Sequence, residues 1–172
     1  MLQILGAIMI IGGVIGLGYD YAEKEQRKIV FAETWEYIMY MFLSEITYKK
    51  QPLSLACKEI GEKTEGEEGR FLKAISERAE KRKAKGFCQN WQEECVGYFN
   101  KKKVSREEQI LIREFGTLTG FEDENMQKKM IEEQSDKWKK IRLQRQEEYQ
   151  ERKRLVMILS SCAGIMVVLI LW

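Results

Sequence analysis

The sequence contains no histidine and a single proline, and neither of its two ends carries a charged side chain. The lack of histidine excludes zinc sites that combine cysteine with histidine, and it excludes nucleophiles activated by an imidazole base. With one proline in 172 residues, long helices are unobstructed. No segment shows the alternation typical of strands, so an all-α fold is expected. We predict no catalytic residue, no cofactor and no metal site.

The charge-free ends are two apolar runs. Residues 1–19 and 155–172 contain none of the 29 basic and 27 acidic side chains. A helix of 18 residues is about 27 Å long, close to the hydrocarbon thickness of a bilayer. We therefore predict transmembrane helices at residues 1–19 and 155–172, joined by a polar domain at residues 20–154.

Two alternatives to these spans were weighed. A cleaved signal peptide fits the first run poorly, because no basic residue precedes it and Gly18–Tyr21 is a poor cleavage sequence. A buried core helix is the other alternative, since both runs are near the lower length limit for a span. The lack of charge at every position of both runs argues against it.

Basic residues at the inner ends of the two runs predict the orientation of the chain. The polar domain is expected in the cytoplasm, with both termini on the far side of the membrane. The net charge of +2 gives no indication of nucleic-acid binding. The cysteines form no C-x-x-C pair and are expected to be thiols in a reducing compartment. The basic residues are Lys24, Arg27, Lys28, Lys137, Lys139, Lys140, Arg142, Arg145, Arg152, Lys153 and Arg154.

Apolar residues at helical spacing predict six helices in the polar domain. They cover about 20–50, 52–61, 68–84 and 87–100, followed by one from 105 and one from 122–123 that continues into the second span. Ser105 and Glu108 have capping-box spacing, and residues 61–69 form a polar, glycine-bearing loop. A six-helix bundle between two transmembrane helices follows. Its inner faces are expected to contain Val30, Trp35, Ile38, Phe42, Ile46, Leu53, Ala56, Ile60, Phe71, Leu72, Ile75, Ala79, Trp91, Cys95, Tyr98, Phe99, Ile110, Leu111, Phe115, Leu118, Met126, Met130, Ile131, Trp138 and Ile141.

Two segments resemble the stage III sporulation protein AB family. Residues 42–60 are similar to its Ser-Glu-Ile-x-Tyr stretch with a following Pro-Leu, and residues 114–127 are similar to its Leu-Gly-x-x-Leu-Gly-x-x-Asp-x-x-x-Gln pattern. Phe115 replaces the first leucine and Thr119 the second. Chain length, terminal spans and a helical middle extend the resemblance over the whole chain. The matching residues are Ser44, Glu45, Ile46, Tyr48, Pro52, Leu53, Gly116, Gly120, Asp123 and Gln127.

The resemblance implies a function at the membrane. Members of that family belong to the mother-cell side of a channel-like complex around the forespore, and they look like a reduced inner-membrane platform protein of type II secretion systems and type IV pili. The resemblance therefore implies a non-enzymatic scaffold that docks a cytoplasmic hexameric ATPase and other subunits of the complex, with self-association possible. The expected location is the mother-cell membrane.

Several motif residues have more than one interpretation. Gly116 and Gly120 suit a tight interhelical turn better than a phosphate-binding turn, because no strand precedes them and no Lys-Ser/Thr follows. Asp123 and Gln127 cap or brace the sixth helix, or contact a partner. Ser44 and Glu45 precede a proline turn and are interpreted as structural, and no histidine is present to activate Ser44.

Each predicted span also contains a pair of small residues four positions apart, which lets helices approach closely. The interpretation leaves open whether the spans pack on each other or on neighbouring copies. These small residues are Gly12, Gly16, Ser160 and Gly164.

Two other functions were considered. A membrane-surface enzyme would use carboxylates, and the acidic residues of the 61–69 segment are the weak motivation for it. A secretion or pilus platform is the second, although such proteins usually repeat the bundle domain and this chain contains one copy.

Overall fold

The computed structural model describes residues 2–81, 86–118 and 124–171. It leaves out the side chains of residues 2–21, 118 and 124 and most of those in 160–171. Every regular element in the described ranges is helical, so the all-α prediction is confirmed there, as is the presence of six helices. The elements are α1 (Leu2–Ser44), a π-helical turn (Glu45–Lys49), α2 (Leu53–Lys63), α3 (Gly66–Lys81), α4 (Phe87–Lys101), α5 (Arg106–Leu118) and α6 (Glu124–Leu171).

The chain divides into two compact units. The two-helix unit contains residues 1–33 and 139–172, and the bundle unit contains residues 34–138. In the two-helix unit, Arg145 Nη1 donates a hydrogen bond to the carbonyl oxygen of Lys28 at 2.9 Å. In the same unit, the side chains of Ala32 and Ile141 are buried. The hydrogen bond therefore shows which parts of α1 and α6 lie side by side within the two-helix unit.

Aromatic rings connect the helices of the bundle unit. Trp35 of α1 stacks on Trp138 of α6 with ring centroids 5.7 Å apart, and its edge contacts Phe71 of α3 at 6.1 Å. Phe71 also packs against Trp91 of α4 at 5.1 Å, and Trp91 against Phe115 of α5 at 4.9 Å. Each such pair contributes about 0.5–1.5 kcal/mol beyond its buried area. These residues were predicted to face inward, and the structure confirms them.

Three predicted core residues are exposed instead. Val30, Ile110 and Met126 are about half exposed. For example, the buried positions of α5 are Leu111, Ile112 and Phe115, and Ile110 lies beside that stripe. The spacing of apolar residues in the sequence made the predicted faces wider than the buried stripes are.

The predicted loop at residues 61–69 was wrong. Helix α2 continues to Lys63 and α3 begins at Gly66, where φ is +80°. A Cβ atom on Gly69 would lie 1.9 Å from the carbonyl oxygen of Thr64 and 2.9 Å from that of Gly61. Gly61 and Gly69 therefore allow the backbones of α2 and α3 to approach closely. The glycines therefore belong to close helix packing and not to the predicted polar loop.

Two local signals were interpreted correctly. The Ser105 amide donates to Glu108 Oε2 at 2.9 Å, and the Glu108 amide donates to Ser105 Oγ at 3.3 Å, which is the predicted capping box. Pro52 immediately precedes α2, and its carbonyl oxygen accepts hydrogen bonds from the amides of Leu55 and Ala56.

The predicted membrane spans stay predictions. In the part of the chain that the structure describes, no helix has both the length and the apolar composition needed to cross a bilayer. The side chains of residues 2–21 and most of 160–171, including the small residues Gly12, Gly16, Ser160 and Gly164, lie outside that part. The helices that contain these residues do continue to Leu2 and Leu171, and α6 is unbroken from Glu124, as expected.

Candidate interaction surface

The first family segment begins where α1 changes into a π-helical turn. This turn covers Glu45–Lys49 and ends at Lys50, which has a left-handed conformation with φ 49°. A left-handed residue followed closely by proline is a common way to end a helix, and here Pro52 comes two residues later. π-Turns occur frequently at functional sites. The apolar period predicts an ordinary helix here and does not indicate the π-turn.

A buried carboxylate fixes the π-turn. Glu45 is 5% exposed, and its oxygens lie 2.8 Å from Lys49 Nζ and 3.7 Å from Lys63 Nζ. Gln51 Nε2 donates to the same carboxylate. A buried carboxylate needs such partners, because leaving it uncompensated costs several kcal/mol. Through these contacts, Glu45 holds the π-turn to Lys63 of α2 and to Gln51.

Lys49 extends this network to α2. Its Nζ lies 2.7 Å from Glu59 Oε2. The hydrogen bond from Lys49 lowers the pKa of Glu59, and the hydrogen bonds to Glu45 and Glu59 raise the pKa of Lys49. Both groups therefore stay charged at neutral pH, and the π-turn and α2 are joined by an ion-pair network that is open to solvent.

The opposite face of α1 carries exposed tyrosines. Tyr37, Tyr40 and Tyr48 are 57%, 50% and 83% exposed, and Ser44 lies exposed among them. Their spacing of three or four residues places them along one side of the helix. We call these four residues the tyrosine stripe. Tyrosine is enriched in protein interfaces, where its ring supplies contact area at a low cost in conformational entropy.

The family motif residues divide between these two roles. Glu45 and Ile46 are buried, whereas Ser44, Tyr48 and Pro52 are exposed and Leu53 is half-buried. The buried residues hold the π-turn, and the exposed ones are available to a partner. Tyr37 and Tyr40 were missed by the sequence analysis. Their signal was the repeat that runs 37, 40, 44, 48 beside the buried repeat 35, 38, 42, 46.

The second family segment meets the first through an aromatic contact. The rings of Phe42 and Phe115 lie 4.8 Å apart between centroids. Gly116 is inside α5, and a Cβ atom there would lie 2.3 Å from Trp91 Cδ1. The predicted turn at Gly116 was therefore wrong, since its role is to admit the Trp91 ring. Trp91 Nε1 also donates to the carbonyl oxygen of Ile112 at 2.6 Å.

The remaining residues of the second segment are less informative. Gly120 and Asp123 lie outside the described residues. Gln127 is a half-buried residue of α6. Helix capping by Asp123, or a partner contact by Asp123 and Gln127, therefore stays a prediction.

The acidic residues of the 61–69 segment have structural contacts of their own. Glu68 is buried and accepts hydrogen bonds from Tyr98 Oη at 2.9 Å and from Lys102 Nζ. Burial, followed by the charge of Glu68, raises the pKa of the Tyr98 hydroxyl far above its usual range. Glu67 pairs with Arg70 at 2.6 Å on the surface. Glu67 and Glu68 therefore have different partners, and the membrane-surface enzyme stays an untested alternative.

The thiols and the acidic groups give no metal site in the described part of the chain. Burial raises the pKa of Cys95 to about 12, and it raises the pKa of Cys57 still further. Both are therefore thiols without nucleophilic character at neutral pH. Cys88 is half-buried and is the more accessible thiol of α4.

Comparisons with known proteins agree with the two family segments. A solved structure of a stage III sporulation protein AB has a similar fold, with a TM-score of 0.65 and 15% identity, over 72% of this chain and 96% of the other. Comparison with curated proteins gives no match. The family model of stage III sporulation protein AB matches residues 3–172. Because this match covers nearly the whole sequence, the chain belongs to the stage III sporulation protein AB family.

Proposed function

We propose that this chain is a non-enzymatic platform subunit of a channel-like sporulation complex in the mother-cell membrane around the forespore. The two-helix unit anchors it by two transmembrane helices, and the bundle unit lies in the cytoplasm. There, the tyrosine stripe docks a hexameric ATPase. Family membership supports a role in the sporulation complex, and the anchoring and docking steps are supported by the following features.

The observation that carries the anchoring is the level of the two charge-free runs. Arg145 of α6 bonds to the carbonyl oxygen of Lys28 in α1. Toward the chain termini, Tyr19 lies nine residues from Lys28 and Leu155 lies ten residues from Arg145, and these two residues begin the charge-free runs. The two distances are about 14 and about 15 Å along the helix axis, equal to within one helical turn. In both helices, the charged residues end at the same height along the axis. The two charge-free runs can therefore enter the same flat bilayer surface.

The docking step is supported by the tyrosine stripe and its rigid base. Tyr48 is highly exposed, although the nearby Ile46 is buried. Both residues belong to the π-turn, which the contact between Glu45 and Lys49 holds in place. A rigid, exposed aromatic row loses little entropy when it binds a partner. This is the feature of the bundle unit that best fits a protein interface.

Site-specific photocrosslinking tests the docking. A photoreactive amino acid replaces Tyr40 or Tyr48 in sporulating cells, and the crosslinked products are identified by mass spectrometry. We expect both positions to crosslink to the ATPase of the complex. The matched control is Val96 of α4, an exposed apolar residue of the same unit, which should give no such product. If Val96 crosslinks to the ATPase and the tyrosines do not, the tyrosine stripe is not the docking surface.

A further inference from the structure

The last charged residues of α6 form a basic cluster. Arg152, Lys153 and Arg154 are consecutive, all three are exposed, and Leu155 follows as the first residue of the charge-free run. Successive residues of a helix point about 100° apart. The three side chains therefore spread over more than half of the circumference of α6, within one turn of the point where its charges end.

In the last turns of α6 before the charge-free run, the charges are separated by sign. The exposed acidic residues Glu147, Glu148 and Glu151 precede the cluster, and every charged residue after them is basic. Helix α1 has the opposite order, since Asp20 and Glu23 come closest to its charge-free run and its first basic residue is Lys24. The positive charge nearest the predicted bilayer therefore belongs to α6 alone.

We propose that Arg152, Lys153 and Arg154 form a binding site for the phosphate of anionic phospholipid headgroups. The proposal rests on the proposed membrane anchoring. Arginine binds phosphate with two parallel hydrogen bonds, and lysine adds a compact positive charge. The long aliphatic stems of all three residues cover the apolar start of the span while their charged ends remain among the headgroups.

The position of the cluster favours lipid as the ligand. A helix rises 1.5 Å per residue, so the three charged positions lie within about 5 Å of Leu155 along the axis. At that level, the headgroup layer surrounds the faces of a membrane-embedded helix that do not contact another helix. Each basic residue close to an anionic surface contributes about fivefold to binding.

Lipid retention by the full chain tests this site. The protein is reconstituted in nanodiscs of equal parts phosphatidylcholine and phosphatidylglycerol, extracted in mild detergent, and its retained lipids are quantified. We expect the wild type to retain phosphatidylglycerol preferentially, and Arg152→Gln/Lys153→Gln/Arg154→Gln to lose that preference by about tenfold or more. The matched control, Lys24→Gln/Arg27→Gln/Lys28→Gln, removes the same charge from α1 and should keep the preference.

The outcomes separate the site from the anchoring. An unselective wild type, or equal losses in both triple variants, overturns the site on α6. Loss of the preference on addition of excess inorganic phosphate assigns the cluster to a free anion and also overturns the proposal. Resistance of the wild type to carbonate extraction from membranes measures the anchoring separately. If carbonate releases the chain, the proposed function fails, whatever the lipid result.

Discussion

At the scale of single residues, the glycines give the clearest relation between sequence and packing. Gly116, Gly61 and Gly69 all lie in helices, where glycine is unfavourable by about 1 kcal/mol relative to alanine. Each is found where a ring or a neighbouring backbone occupies the space of a Cβ atom. Gly97 of α4 is different, because a Cβ atom there meets nothing within 4 Å.

This difference predicts opposite effects of the same substitution. Gly116→Ala should lower the free energy of unfolding by about 1–3 kcal/mol, because the new methyl group overlaps the Trp91 ring. Gly97→Ala should raise it by about 0.5–1 kcal/mol through helix propensity. Urea unfolding of the full chain in detergent, followed by tryptophan fluorescence, measures both. Equal effects of the two variants would contradict the packing described for α4 and α5.

The ion pair between Lys49 and Glu59 predicts a dependence on pH. The hydrogen bond from Lys49 lowers the pKa of Glu59 in the folded protein below its ordinary value of 4.5. The stability it contributes is therefore present above that value and is lost as the pH falls through the lowered pKa. Glu59→Gln should be less stable than wild type near neutral pH, and the difference should vanish in acid.

The measurement is the unfolding midpoint in urea at about pH 7 and about pH 3. Glu62→Gln is the control, since Glu62 is an exposed residue of the same helix. It should leave the midpoint unchanged at neutral pH. A Glu59→Gln variant that stays as far below wild type in acid as at neutral pH would disprove the contribution of this pair.

At the scale of elements, the sequence predicts helices better than their connections. The apolar period located all six helices, and Ser105 with Glu108 located the start of α5. The π-turn adds one residue to the helix, yet Ile46 is buried in it as it would be in an ordinary helix. The apolar period therefore could not reveal the π-turn. It also could not distinguish a flexible glycine from one in close helix packing, since that depends on the neighbouring helix.

The capping box gives the prediction at this scale. Ser105→Ala removes the acceptor of the Glu108 amide and should destabilise the chain by about 1 kcal/mol. Ser54→Ala is the matched control, because Ser54 has no side-chain hydrogen bond in the described part of the chain and lies inside α2. Thermal unfolding by circular dichroism compares the two. If both variants have the same melting temperature, the capping box does not stabilise the start of α5.

The tyrosine stripe shows how far the sequence led toward the candidate site. Tyr48 was identified through the family segment, whereas Tyr37 and Tyr40 became visible once the buried face of α1 was known. Helical periodicity assigns apolar residues to the core, so it does not predict a row of exposed aromatic residues. Exposure on the folded bundle, which no periodicity reports, turns these tyrosines into candidates for a partner.

At the scale of the whole molecule, the family match and the contact between the two long helices agree. The family model covers residues 3–172, and the contact between Arg145 and Lys28 places the two charge-free runs at one level. Both observations support the proposed membrane platform. The cytoplasmic position of its bundle unit stays a prediction from the basic residues at the inner ends of the two runs. The buried glutamates Glu45, Glu68 and Glu108 accept hydrogen bonds within this unit.

Cysteine labelling tests this topology most directly. Cys95 is fully buried and cannot report on it, so Cys88 is the probe, and Cys88→Ser gives the background from the other thiols. Intact cells and detergent-permeabilised cells are treated with a membrane-impermeant maleimide. The account predicts labelling above the Cys88→Ser background only after permeabilisation. Labelling of Cys88 in intact cells would place the bundle unit outside the cytoplasm and contradict the account.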